Sequence, residues 1–303
     1  MTFESGARLD PSRIQRRGRS AGAGGMAIGG GIGGLLLLLV GAFLGVDLTG
    51  LAGGDGGSNI SANDPALQQQ LDSTCKTGAD ANAKGECLVV GTVNSLDSYW
   101  SSAIPDLGKS FTYPDVVYFD GATSTGCGTA SVQTGPFYCP PDQTIYVETN
   151  FFSILSQLGG STGPLAQEYV IAHEYGHHIQ QLLGVFSVAD RTGTGANSDS
   201  VKVELMADCL AGLWTHYASS APDASGTPFL KPPTDAEIAD ALSAAGAVGD
   251  DHIQEATTGQ ANPDSFTHGT SDQRTAAFLV GYQSGDIRQC DPFGVVRSGN
   301  SGF

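Results

Sequence analysis

The stretch His173-Glu174-Tyr175-Gly176-His177 limits what this chain can fold into more than any other, because it demands a helix that is apolar along one stripe and chemically committed beside it. Leu165, Tyr169, Ala172, Gly176, Ile179 and Leu183 recur at helical spacing. Pro164 suits the first turn, and Gly184 suits the position just past the end. On such a helix residues four apart share a face, so His173 and His177 turn two imidazoles toward one point, with Glu174 about a quarter-turn away.

Two imidazoles so spaced are zinc ligands, and a carboxylate between them is placed to take a proton from water on the metal. Zinc needs a third protein ligand. The metzincin spacing would put Gly at 180 and His at 183, but the chain has Gln180 and Leu183. A carboxylate from a later helix is the other solution, and Glu204-Leu205-Met206-Ala207-Asp208 supplies it. Glu204 and Asp208 share a helical face. Glu204 is the expected ligand, and Asp208 the expected acceptor for the far ring nitrogen of His173 or His177. A solvated helix face would also carry two acids, but Leu205, Met206, Ala207 and Cys209 make this turn largely apolar. An oxyanion developing at this site needs one more donor. His268, in Phe266-Thr267-His268-Gly269-Thr270, is the candidate, ahead of His252, Tyr175 and Arg274. His178, His216 and His252 read as surface or satisfied core residues.

The flanking chain sets the context. Residues 1–25 are basic and Gly/Ser-rich and read as a disordered cytoplasmic tail. Met26 to Val46 is uncharged, includes the run Leu35 to Val40, and at 21 residues is long enough to cross a bilayer once. The arginines before it would stay in the cytoplasm and the remainder lie outside; a cleaved signal peptide is the rival reading. Residues 47–65 read as a flexible linker, and residues 66–303 as the folded domain. After Val46 the chain carries 9 basic and 29 acidic residues, a balance that repels phosphate backbones and argues against nucleic-acid binding. All six cysteines follow the apolar run, and none forms a C-x-x-C pair, so disulfides are expected. The economical pairing is Cys75–Cys87 and Cys127–Cys139, leaving Cys209–Cys290.

An α+β architecture is expected. Apolar spacing from Glu86 to Ile104 predicts a helix, and residues 116–119 and 144–147 predict strands of a small sheet. The half after residue 160 reads as mostly helical, with further helices opened by Ser200, Thr234 and Thr270.

Several separated segments together resemble the bacterial neutral zinc metallopeptidase family. They are Gly135 to Pro140, His173 to Gln180, Glu204 to Trp214, Ala247 to Asp251 and Ser265 to Arg274, and the resemblance spans about residues 70–295. It implies a zincin-like fold in a membrane-anchored protein, zinc as the cofactor and a glutamate third ligand. Those implications transfer to His173, Glu174, His177 and Glu204. The expected activity is hydrolysis of peptides or proteins by metal-activated water, with Glu174 as general base. A catalytically silent envelope-binding module that keeps zinc for structure, and a zinc amidase acting on cell-wall material, are the alternatives.

Overall fold

The pentad helix forms as its sequence dictates, and the remaining elements are arranged around it. The structure is a computed structural model that describes residues 1–18 and 60–296. In chain order it contains strands β1 (Gln15–Gly18) and β2 (Ile60–Asn63), and helices α1 (Pro65–Thr74), α2 (Gly78–Ala83) and α3 (Gly85–Asp106). Strands β3 (Asp115–Phe119), β4 (Ala122–Thr125), β5 (Gly128–Ser131), β6 (Phe137–Cys139) and β7 (Thr144–Glu148) follow. Helices α4 (Phe151–Gln157), α5 (Pro164–Leu183), α6 (Asp199–Tyr217), α7 (Asp235–Ala247), α8 (Asp250–Thr258) and α9 (Ser271–Ser284) complete the described chain.

The fold is mixed α+β, with one seven-stranded sheet in the order β5-β4-β2-β1-β3-β7-β6. Neighbours β1, β3 and β7 run parallel, whereas β6 returns antiparallel to β7 and ends that side of the sheet. One sheet face and α3 pack against α5, burying Val89, Val93, Leu96, Ile145, Val147, Leu165, Tyr169 and Ile179 in a continuous core. A smaller cluster of Val117, Phe119, Phe137 and Tyr146 fills the opposite face.

Two expectations need correction. Residues 1–18 are not a disordered tail: Met1, Phe3, Ala7 and Ile14 are buried, and β1 sits between β2 and β3. Their basic side chains are absorbed by specific partners. Arg13 donates to Asp97 at 2.7 Å, and the guanidinium of Arg16 lies over the Tyr118 ring. The Met1 ammonium pairs with buried Glu168 of α5, whose carboxyl is pushed up to about 7 by burial. The folded region also begins earlier than residue 66, because residues 60–63 form β2. A smaller correction concerns the start of α6. Ser198, not Ser200, caps it by accepting from the Val201 amide, while the Ser200 hydroxyl donates to the carbonyls of Arg191 and Gly193.

The three disulfides pair as expected: Cys75–Cys87, Cys127–Cys139 and Cys209–Cys290. The expected membrane span, 26–46, lies outside the described residues. Among the described residues, no helix is long and apolar enough to cross a membrane.

Candidate metal centre

Gly176 explains how the two helices come close enough to build a site. A β-carbon there would lie 3.1 Å from both the α-carbon and the carbonyl oxygen of Ala207, so α5 and α6 cross backbone to backbone at this point. Within one turn of the crossing the two helices face each other with His173, His177, Glu204 and Asp208. His173 Nε2 lies 3.1 Å from Glu204 Oε2, and His177 Nε2 lies 3.5 Å from Glu204 Oε1. One ligand atom from each of His173, His177 and Glu204 falls within 4.8 Å of the other two, and all three side chains are buried. Two neutral imidazole nitrogens and one carboxylate oxygen at this separation fit a single zinc ion.

Both rings are held from behind. His173 Nδ1 is 2.7 Å from Asp208 Oδ1, and His177 Nδ1 is 2.9 Å from Gln180 Oε1. Hydrogen bonds at Nδ1 leave Nε2 of each ring directed at the metal position. Asp208 is itself fixed. Arg274 donates to it through Nε at 2.9 Å and Nη2 at 3.0 Å, and the Tyr169 hydroxyl donates at 2.5 Å. Gln180 is anchored in turn by donating to the Val203 carbonyl at 2.5 Å. Sequence reasoning anticipated Asp208 but not its choice of His173. It assigned no role to Gln180 or Tyr169, and it read Arg274 as a lesser oxyanion donor. The roles of Tyr169 and Arg274 depend on side-chain direction across helix interfaces, which linear spacing does not announce, whereas Gln180 lies three residues past His177 on the same helix, a spacing that could have signalled it.

Charge is strongly patterned here. Burial opposes ionisation of Glu204, yet His177 and His173 hold its carboxyl well below the usual carboxylate range. Burial pulls His177 down to about 4, whereas Asp208 and Glu204 overcome the same burial and raise His173 to about 10. Cation binding must displace that proton. Glu174 is nearly enclosed; burial raises it to about 7, against the lowering influence of the His173 charge and the Tyr138 backbone.

His268 lines the same cavity as His173, Glu174, His177 and Glu204. Its Nδ1 lies 3.1 Å from Asp250 Oδ1. The other oxygen of Asp250 accepts from the amides of Thr267, His268 and Gly269 at 2.7, 2.7 and 3.1 Å. One carboxylate thus fixes both the loop and the ring. The lesser candidates are engaged elsewhere. Tyr175 donates to Asp97 on the far side of α5, His252 bonds the Leu158 carbonyl, and Arg274 clamps Asp208. His178 bonds the Thr112 carbonyl and the Tyr138 hydroxyl, and His216 bonds the Tyr282 carbonyl, as expected of satisfied residues.

Comparisons with known proteins place the chain in one family. Uncharacterized protein Rv2575 of Mycobacterium tuberculosis is 50% identical over 229 residues, 75% of this chain and 77% of that protein. Uncharacterized protein YpfJ of Escherichia coli is 38% identical over 294 residues, 94% of this chain and 95% of that protein. No solved structure matches. The model of the family described as "Putative neutral zinc metallopeptidase" matches residues 4–293, a span that takes in the N-terminal strand and every residue of the metal centre, and the chain belongs to that family.

Proposed function

We propose that the protein is a zinc-dependent peptidase of the HExxH-plus-glutamate type. One observation carries the reading: two imidazoles and a later carboxylate converge with their far sides locked, beside a buried glutamate with no structural task of its own at the metal. His173, His177 and Glu204 would hold the zinc, which when bound supplies a Lewis acid and lowers the pKa of water to about 7.

The chain's own residues do the rest. Glu174 accepts a proton from the attacking water and passes it to the departing amine. His268, which against burial Asp250 and Glu204 hold toward its protonated form, bonds Asp250 through Nδ1 and donates through Nε2 to the oxyanion that develops on the scissile carbonyl. Among the described residues strand β6 ends the sheet beside the cavity, and its outer edge would align an extended peptide beside the metal centre. A zinc kept only for structure takes four protein ligands, and the group here has three among the described residues. A membrane tether is supported by the uncharged run 26–46 of the sequence alone.

Glu174→Gln is expected to bind stoichiometric zinc and lose proteolysis by about 10²-fold or more, whereas His177→Ala loses the zinc. Full activity in Glu174→Gln, or one zinc per chain in His177→Ala, would refute the assignment.

A further inference from the structure

The cavity over the metal centre is about 110 Å³, and its lining is of two kinds. The apolar part comes from Val170 of α5, Phe151 and Leu158 at the ends of α4, and Val248 and Ile253 where α7 passes into α8. Phe137 of β6 also lines the cavity, while its ring stacks on Tyr146. Of these, only Val248 is more than slightly exposed. Val170 lies one helical turn before Glu174 on the same face, so this apolar part adjoins the general base. The charged groups of the cavity lie elsewhere. Glu204 and the histidines gather at the metal position, Arg274 is clamped by Asp208, and Arg191 rests over the Phe186 ring at 4.6 Å.

We propose that this apolar part is a side-chain pocket selecting peptides with a large aromatic or branched aliphatic residue next to the scissile bond. The inference rests on the peptidase reading above. A carboxylate or ammonium entering here loses its water and finds no partner among these six side chains, whereas an apolar side chain exchanges water for close contact. A volume of about 110 Å³ admits one side chain, so selection is exercised at one substrate position.

The test is cleavage of a fluorogenic peptide library, varied one position at a time, by the zinc-loaded full chain. At one position Phe or Leu is expected to exceed Ala in kcat/KM by about tenfold or more, with Asp and Lys lower still. Val248→Phe narrows the pocket and is expected to shift the preference toward Ala, while Ile253→Ala deepens it and favours Trp; melting curves confirm that each variant folds. Cleavage by the wild type with no side-chain preference would overturn the pocket and leave the peptidase reading standing. Failure to cleave any peptide would overturn the peptidase reading. In that event calorimetry decides the pocket: the phenylalanine hydroxamate binds the zinc-loaded protein more tightly than the glycine hydroxamate, and equal affinities overturn the proposal.

Discussion

Each imidazole of the metal centre uses both nitrogens, and the two far nitrogens are served differently. His173 leans on a carboxylate that three donors hold in place, whereas His177 leans on the neutral amide of Gln180. Losing Asp208 therefore does more than remove one hydrogen bond, because it leaves the buried Arg274 charge without its partner. Asp208→Ala is expected to weaken zinc by about 10- to 100-fold, read by competition with a chelator, and to lower the melting temperature as well. Gln180→Ala is expected to weaken zinc without the second effect. The pH dependence follows from Glu174. Burial raises its carboxyl to about 7, and a base must be ionised to accept a proton, so kcat/KM falls on the acid side. A bound cation favours the ionised form, which places the midpoint of that limb below pH 7. A limb that persists unchanged in Glu174→Asp would assign it to another group. At this scale the sequence was most legible where chemistry repeats at helical spacing, as in His173, His177, Glu204 and Asp208. It was silent on the clamp of Arg274 on Asp208, because spacing along the chain does not reveal which buried side chains meet across helices.

Among the elements, the α5–α6 crossing sets the site's dimensions. Gly176→Val would press two methyl groups into the Ala207 backbone and force the helices apart. The expected result is a loss of about 1–3 kcal/mol in stability, together with weaker zinc binding. Denaturant unfolding and chelator competition check the two parts, and unchanged zinc affinity would separate the crossing from the site. The α6–α9 contact has the same character: a β-carbon at Gly281 would meet the Cys209 carbonyl oxygen at 1.9 Å. Helices and their caps were readable because propensity, stripe and capping box agree, as at Thr234–Glu237 and Thr270–Gln273. Ser198 was missed as a cap because Ser200 presents the same side chain two residues later, and which one caps depends on where the preceding loop enters. Strands β3 and β7 announce themselves with β-branched and aromatic runs. β1 does not, since its sequence is Gln-Arg-Arg-Gly and its arginines are accommodated by partners distant in the chain: Arg16 lies over the Tyr118 ring, and Arg17 lies over the Tyr146 ring and donates to the Thr123 hydroxyl and the Ser124 carbonyl.

For the molecule as a whole, residues 1–18 and 60–296 form one folded unit. β1 pairs with β2 on one side and β3 on the other, and Arg8 and Asp10 donate backbone N–H groups to Asp223 and Asn94. Parts of one unit share a compartment, so the N-terminus and the metal centre are expected on the same side of any membrane, not on opposite sides as the arginine distribution suggests. Ser5→Cys and Tyr113→Cys, both at exposed positions, are expected to react alike with a membrane-impermeant maleimide in intact cells. Labelling of only one would show that a bilayer divides them. The seat of β1 also bears on how the protein is handled. A shortened form beginning after Val46 retains β2 and β3 but lacks the strand between them, leaving a slot whose unpaired amides and carbonyls invite a neighbouring molecule to donate its own segment. Such a preparation is expected to self-associate, and a synthetic peptide of residues 1–18 added in trans is expected to return it to a monodisperse species.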